Sequence, residues 1–170
     1  MKKLVLLTLF TAFSCQASGL NVGFSPEGSA REVVLNAISS AQRSIHMMAY
    51  SFTAPDIVRA LADAHKRGVD VRIVVDENGN KTRPSIAAMN YAVNNGIALR
   101  TDGDYKIQHD KVMIIDGDTV ETGSFNFTAS AEKYNSENAL VISGVPELAQ
   151  RYDAHWLDRW NRGTDYRSAY

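Results

Sequence analysis

The residues best suited to chemistry in this sequence lie between positions 107 and 140. His109 and Lys111 are separated by one residue within an apolar segment that predicts a β-strand over 107–115. Side chains two apart on a strand project to the same face, so an imidazole would lie beside an ammonium group. A histidine can attack an electrophile or transfer a proton, and a lysine can hold negative charge. The pair predicts a nucleophilic site for an anionic substrate.

A second polar group follows the next predicted strand, which covers residues 119–122. Gly123 permits close backbone approach where the chain leaves this strand. Ser124 and Asn126 supply neutral hydrogen-bond donors that suit the non-bridging oxygens of a phosphate. Together with His109 and Lys111, these residues predict an anion-binding site that contains its own nucleophile.

The spacing of these residues resembles the HKD motif of the phospholipase D superfamily at every fixed position. His109-x-Lys111 is followed after four residues by Asp116, and after six more by Gly123-Ser124-x-Asn126. The resemblance extends over nearly all of the chain after residue 19 and is strongest to the small bacterial endonucleases of the superfamily. The further segments that carry it are Tyr50–Asp56, Arg67–Val71 and Trp160–Gly163.

The resemblance implies an α/β/α sandwich and a phosphodiesterase that works without a metal, through a phosphohistidine intermediate. His109 would be the nucleophile, and Lys111, Ser124 and Asn126 would bind the phosphate. Glu137 would orient His109, because a carboxylate on one imidazole nitrogen fixes the tautomer and stabilises the cation.

The aspartate of the motif has a different expected role. Asp116 ends the predicted strand, off the face that carries His109 and Lys111, and begins the hairpin turn Asp116-Gly117-Asp118. We therefore expect Asp116 to be structural, as Gly123 is, and we assign the orienting role to Glu137.

No metal and no other cofactor is predicted. The chain has one cysteine, and no further histidine or carboxylate falls at ligand spacing around His109-Asp110. Asp76-Glu77 is a weak metal candidate that we interpret as a solvated loop. Packing or hydrogen-bonding roles are expected for the other three histidines, His46, His65 and His155.

Short apolar runs alternate with helical patterns along the chain. The first half predicts the order β-α-β-α-β-α-β, which favours parallel strands with helices on their faces. Thr53 is expected to cap the second helix, which ends at Gly68. The hairpin at Asp116-Gly117-Asp118 makes the sheet mixed. We predict one α/β domain: an α/β/α sandwich with a mixed, mostly parallel sheet and helices on both faces.

The first nineteen residues resemble a cleavable secretory signal. Lys2 and Lys3 precede ten apolar residues and a small-residue exit that ends at Gly19, and ten residues are too few to cross a bilayer. The alternatives are an N-terminal anchor or a lipoprotein signal acylated at Cys15. We predict a signal over 1–19, one domain over 20–170 and a periplasmic or secreted protein without stable membrane association. The formal net charge of residues 20–170 would be −3, so a polyanionic substrate must bind to a local patch of positive charge.

Three functions compete at this stage. A non-specific endonuclease that acts on DNA, and on RNA as a further substrate, leads. A lipid phosphodiesterase of the same superfamily is the alternative, although the chain shows no amphipathic stretch rich in lysine and aromatic residues. A polyanion-binding module with a degenerate site is the third, and the intact motif disfavours it.

The presence of one HxK motif predicts a homodimer. Attack on phosphorus and protonation of the leaving oxygen need two proton-handling groups on opposite sides of the phosphate. The other histidines are followed two places on by Met48, Arg67 and Leu157 rather than by lysine. An isologous contact would place His109 opposite its symmetry mate and form a shared active site. The alternative is a monomer that uses Glu137 or solvent as the acid.

Overall fold

The computed structural model describes residues 18–168, so residues 1–17 of the predicted signal lie outside the described part. Eight strands form one sheet: β1 (Gly19–Ser25), β2 (Ser44–Ala49), β3 (Asp70–Asp76), β4 (Ala98–Asp102), β5 (Lys111–Ile115), β6 (Thr119–Gly123), β7 (Glu137–Ser143) and β8 (Thr164–Asp165). Five helices accompany them: α1 (Ser29–Ser40), α2 (Pro55–Lys66), α3 (Arg83–Asn94), α4 (Ala129–Lys133) and α5 (Pro146–Arg162).

The sheet is mixed, in the order β1-β7-β6-β5-β2-β3-β4-β8. Helices flank both of its faces, which confirms the predicted sandwich. The expectation of a mostly parallel sheet is wrong, because only β2–β3 and β3–β4 are parallel pairs. β1 leaves the parallel series and pairs antiparallel with β7 at the edge, and β5, β6 and β7 follow one another as antiparallel neighbours.

Two apolar layers hold the helices to the sheet. Neighbouring residues on a strand point to opposite faces, so the pair Met47 and Met48 serves both layers. Met47 packs with the buried faces of α1, α2 and α3, whereas Met48 packs with Trp156 of α5. The indole Nε1 of Trp156 also donates a hydrogen bond to the carbonyl oxygen of Met47 at 3.2 Å. No helix within residues 18–168 combines the length and apolar character needed to span a membrane.

The strand predicted over 107–115 begins only at Lys111. The backbone N–H of Tyr50 donates to the carbonyl oxygen of Asp110 at 2.9 Å, which extends the β2–β5 pairing by one bond. The chain after β2 then turns away to form a bridge between Phe52 and Phe127, so residues 107–109 have no partner strand. His109 therefore lies in a loop, and the strand-parity argument that placed it beside Lys111 is wrong.

Helix α2 also begins differently from the expectation. Ala54, not Thr53, occupies the N-cap, and no side chain caps this helix. The backbone N–H groups of Thr53 and Ala54 instead both donate to the carbonyl oxygen of Phe127 at 2.9 Å. This contact joins the start of α2 to the loop that follows β6.

The predicted hairpin at the end of β5 is confirmed. Asp116 and Gly117 have φ values of 55° and 74°, the left-handed region that a tight hairpin turn requires. Ile115 and Thr119 face each other across the turn. β5 and β6 are therefore antiparallel neighbours, and the start of β5 lies at the same end of the sheet as the end of β6.

Candidate active site

The predicted site residues meet at one end of the sheet. β2, β3 and β6 end there, and β5 and β7 begin there, because the last two run antiparallel to their neighbours. An open pocket of about 440 Å³ lies at this end. It is lined by His109, Lys111, Gly123, Ser124, Asn126 and Glu137, which are all the predicted site residues except Asp116.

The loop that carries His109 is held on both sides of this residue. The N–H of Gln108 donates to the Asp76 carboxylate at 2.7 Å, and the carbonyl oxygen of Asp110 accepts from Tyr50. The imidazole itself is exposed and lies against the Tyr50 ring, with 4.6 Å between the ring centroids. Asp76 is only 1% exposed, so its interpretation as part of a solvated loop is wrong. The site thus presents an accessible imidazole on an anchored backbone.

Lys111 brings a buried cation to the pocket. The residue is 6% exposed, and its Nζ donates to the carbonyl oxygen of His109 at 2.8 Å. The same Nζ lies 5.1 Å from the centroid of the Tyr50 ring. Burial lowers the pKa of the Lys111 ammonium, whereas the nearby carboxylates of Asp110 and Glu137 act in the opposite direction. Placed in this way, the ammonium can neutralise an anion bound beside His109.

Ser124 is positioned by the strand that follows it. The backbone N–H and the side-chain Nδ2 of Asn138 both donate to the Ser124 Oγ, at 3.1 and 3.3 Å. Since Oγ accepts these bonds, its own hydrogen is directed elsewhere and can bind a ligand oxygen. Gly123 must be glycine for this approach, because a Cβ there would overlap the carbonyl group of Asn138.

Asn126 and Glu137 complete the pocket lining. The Oδ1 atom of Asn126 is buried without a hydrogen-bond partner in the described part of the chain, so this side chain has unused hydrogen-bonding capacity at the site. Glu137 accepts a hydrogen bond from Nδ2 of Asn135 at 2.9 Å. No hydrogen bond joins Glu137 to His109 within residues 18–168, so the orienting role of Glu137 stays a prediction.

Asp116 lies at the other end of β5 and does not line the pocket. Its carboxylate accepts hydrogen bonds from the backbone N–H groups of Gln42, Arg43 and Ser44, at 2.9, 2.7 and 2.9 Å. Burial would raise the pKa of this carboxyl, but the three N–H donors and the Arg43 guanidinium outweigh burial and leave the pKa below its usual range. These contacts tie the β5–β6 hairpin to the segment that enters β2.

Three further residues shape the site, although the sequence alone assigned them no role in it. Tyr50 contacts both His109 and Lys111, Asn138 holds Ser124, and Asp76 anchors the His109 loop. Tyr50 and Asp76 come at the ends of two adjacent parallel strands, the edge at which ligand sites form in such sheets. Their position at the ends of predicted strands is the sequence feature that could have identified Tyr50 and Asp76 as site residues.

The remaining histidines lie outside this pocket. His46 pairs with Asp153 and stacks on Trp156, and Nδ1 of His65 lies 3.2 Å from the carbonyl oxygen of Val69. Nε2 of His155 is 3.5 Å from the Asp110 carboxylate. Across residues 18–168, no group of three histidine, cysteine or acidic side chains is arranged to hold a metal ion.

Comparison with known sequences identifies the family. Residues 34–160 match the family described as cardiolipin synthase, PLD-like domain. The chain is 38% identical over 142 residues to a Rickettsia conorii protein named phospholipase D, covering 84% of this chain and 70% of that protein. It is 32% identical over 126 residues to mitochondrial cardiolipin hydrolase of Xenopus tropicalis, covering 69% and 57%.

Solved structures give the same family. The fold is similar to Nuc from Salmonella typhimurium, a phospholipase D family member, with a TM-score of 0.89 and 65% identity over 89% of this chain and 100% of that chain. NucT from Helicobacter pylori is similar with a TM-score of 0.76 and 25% identity, covering 88% of this chain and 100% of that one. On these matches, and with His109, Lys111, Ser124 and Asn126 of the motif in one pocket, the chain belongs to the phospholipase D superfamily of phosphodiesterases.

Proposed function

We propose that this protein is a metal-independent endonuclease that cleaves phosphodiester bonds in DNA, and in RNA as a further substrate. The observation that carries the proposal is the accessible imidazole of His109, which lines one pocket together with the Lys111 ammonium and the hydrogen-bond donors of Ser124 and Asn126. The resemblance of the sequence to the small bacterial endonucleases of the superfamily favours nucleic acid as the substrate.

The first chemical step forms a covalent bond to His109. An imidazole nitrogen attacks phosphorus, a phosphorus–nitrogen bond forms, and the bond to the leaving oxygen breaks. Lys111, Ser124 and Asn126 hold the non-bridging oxygens, where negative charge increases in the transition state. The leaving oxygen takes a proton from a general acid on the opposite side of phosphorus.

The second step releases the phosphoryl group. Water attacks phosphorus, the phosphorus–nitrogen bond breaks, and the group that acted as acid accepts the proton from water. In the part of the chain that the structure describes, His109 is the only histidine that lines the pocket. We propose that the acid, and later the base, is the partner subunit's His109 in a homodimer with a shared active site.

Glu137 has a supporting role in this proposal. Its carboxylate lines the pocket with His109 and favours the charged form of nearby cations. When the phosphohistidine forms, the imidazole ring becomes positively charged, and a neighbouring carboxylate stabilises that charge.

We further propose that the protein needs no cofactor and works in the periplasm or outside the cell after removal of residues 1–19.

A lipid phosphodiesterase is the second candidate, and one observation favours it. Leu20, Val22 and Phe24 of edge strand β1 are 79%, 51% and 52% exposed, and together they form an apolar strip. Contiguous exposed apolar side chains are a feature of surfaces that bind lipid or protein. The named relatives include phospholipase D and cardiolipin hydrolase.

One experiment separates these functions. The purified protein is incubated in EDTA with plasmid DNA, with single-stranded RNA and with phospholipid vesicles, and His109→Gln is the control. We expect cleavage of the nucleic acids, little release of lipid headgroup and no reaction with the variant. Headgroup release with intact plasmid would assign the lipid function. Loss of all activity in EDTA, restored by Mg²⁺, would reject the metal-free mechanism.

Subunit mixing tests the shared active site. Wild-type and His109→Gln chains are mixed in varied ratios under conditions that allow exchange, and DNA cleavage is measured. If each site needs two His109 side chains, activity falls as the square of the wild-type fraction. A linear fall would show that each chain works alone.

A further inference from the structure

A path of adjacent pockets leads from the catalytic pocket along the face of the sheet that carries α2 and α3. A polar cleft of about 420 Å³ shares Asn126 with the catalytic pocket. A second cavity of about 230 Å³ shares Thr53 and Pro84 with this cleft. We call this second cavity the α2–α3 groove. The three pockets are therefore neighbours in a row, with the polar cleft between the catalytic pocket and the groove.

The sequence of α3 explains why the groove exists. Its lining residues Pro84, Ala87, Ala88 and Tyr91 recur at the spacing that places side chains on one face of a helix. The two alanines are too small to fill the space between this face and α2. Ala87 is exposed, so the interior of the protein does not require a small side chain at this position.

The cleft between the catalytic pocket and the groove is lined with neutral hydrogen-bonding groups. Ser51, Thr53, Thr128 and Ser130 contribute hydroxyl groups, and Asn126 contributes a side-chain amide. Such groups match the sugar and phosphate oxygens of a nucleic-acid backbone. An acyl chain would leave them without hydrogen-bond partners, which costs free energy.

The far end of the path carries two groups that stack on planar rings. Tyr91 is 41% exposed, and Arg59 is exposed and has no hydrogen bond or ion pair within residues 18–168. Aromatic rings and guanidinium planes bind unstacked bases of single-stranded nucleic acid, largely without regard to base identity. The lining between them is apolar and suits the face of a base.

We propose that the α2–α3 groove is a subsite that receives one unstacked base of the strand whose phosphodiester lies at His109. The inference rests on the proposed nuclease function and adds a second point of contact to it. The subsite would raise the affinity for single-stranded substrates long enough to reach it, and it would not affect a small diester that occupies the catalytic pocket alone.

The test compares two substrates within each variant. The kcat/KM for a single-stranded oligonucleotide is divided by the kcat/KM for bis(p-nitrophenyl) phosphate, so a general loss of folded protein cancels. We expect Tyr91→Leu, Ala87→Leu and Arg59→Gln to lower this ratio by roughly tenfold, the size of one lost base-stacking contact. Tyr91→Phe keeps the ring and should keep the ratio. Arg151→Gln is the matched charge control, because Arg151 is exposed on α5, on the other face of the sheet.

A second measurement locates the base. An oligonucleotide with a single abasic position, moved stepwise from the scissile phosphate, should bind more weakly at one position, and Tyr91→Leu should remove that dependence. An unchanged substrate ratio in all groove variants would overturn the inference while leaving the nuclease function intact. A wild-type protein that hydrolyses the small diester but cleaves no nucleic acid would overturn both. A selective loss of vesicle hydrolysis in Tyr91→Leu would reassign the groove to an acyl chain and also overturn it.

Discussion

The two ends of β5 carry residues of the same motif in opposite electrostatic situations. At its start, His109 is exposed, Lys111 is a buried cation, and Asn126 keeps an unpartnered oxygen. At its other end, the Asp116 carboxylate accepts three backbone hydrogen bonds. Unsatisfied polar groups cost stability unless a ligand completes them, whereas satisfied groups stabilise the fold. The motif therefore combines a chemical end and a structural end on one strand.

The largest expected effect comes from His109 at the chemical end. His109→Gln removes the nucleophile and should lower kcat for DNA cleavage by about 10⁴-fold or more. Because the imidazole is exposed and its ring makes no hydrogen bond within residues 18–168, the melting temperature should stay within a few degrees of wild type. His65→Gln, on α2, is the matched control and should retain activity. If His109→Gln keeps full activity, His109 is not the nucleophile.

Lys111 should give the next largest effect. Lys111→Met keeps the length of the buried side chain and removes its charge, so we expect a fall in kcat of roughly 10²- to 10³-fold. Stability should change little or increase, since the variant no longer buries an ammonium group. Steady-state kinetics and thermal melting together check this prediction. A large loss of stability with normal kcat would show that Lys111 stabilises the fold and does not take part in the reaction.

Glu121 lies on β6, between the levels of the two ends of β5, and its environment contrasts with that of the well-bonded Asp116 carboxylate. It is 0% exposed and neither carboxyl oxygen has a partner within the described residues. Burial raises its pKa to about 8. The folded protein therefore holds a proton that the unfolded chain releases above its ordinary pKa, so stability falls as pH rises from about 4.5 to about 8, by up to about 1.4 kcal/mol per pH unit.

Glu121→Gln removes this titration. The variant and the wild type should have similar unfolding free energies near pH 4.5, and the variant should be more stable by a few kcal/mol at pH 8 and above. Urea unfolding at a series of pH values measures the difference. Parallel pH profiles for the two proteins would show that Glu121 does not titrate in this range.

Asp116 should give the smallest effect on chemistry. Asparagine tolerates the positive φ at this position, so Asp116→Asn tests the charge and its hydrogen bonds without backbone strain. We expect a loss of about 1–3 kcal/mol in unfolding free energy at neutral pH, with kcat per folded molecule close to wild type. Since the carboxyl pKa is lowered in the folded state, this loss should shrink as pH falls through that pKa. A stable variant without activity would place Asp116 in the chemistry.

The sequence was most informative where spacing alone sets the outcome. The hairpin at Asp116-Gly117 follows from turn chemistry and makes the sheet mixed. Helices on the faces of that sheet follow from the alternation of apolar runs with helical patterns, and the sandwich is what the family resemblance implies. The antiparallel pairing of β1 with β7 could not be predicted, because it depends on contacts between residues more than a hundred positions apart. The predicted site residues do line one pocket, and Asp116, which was predicted to be structural, lies outside it.

The same limit explains what was missed at the site. The apolar run over 112–115 suggests a strand that reaches back to residue 107. Residues 107–110 form a loop instead, because the chain has no strand neighbour beyond Tyr50 and because Gln108 donates a hydrogen bond to Asp76. Tyr50 acquires its contacts with His109 and Lys111 only when β2 and β5 pair. Such tertiary contacts have no local pattern in the sequence.

The central claim is that the chemical end of β5 forms a covalent bond through His109. The protein is mixed with bis(p-nitrophenyl) phosphate in EDTA, quenched in alkali within its first turnovers and digested, and the peptides are examined by mass spectrometry. We predict a p-nitrophenyl phosphoryl group on His109 in wild type and in Asp116→Asn, and none in His109→Gln. Turnover without any adduct on His109, or an adduct on another residue, would contradict the account.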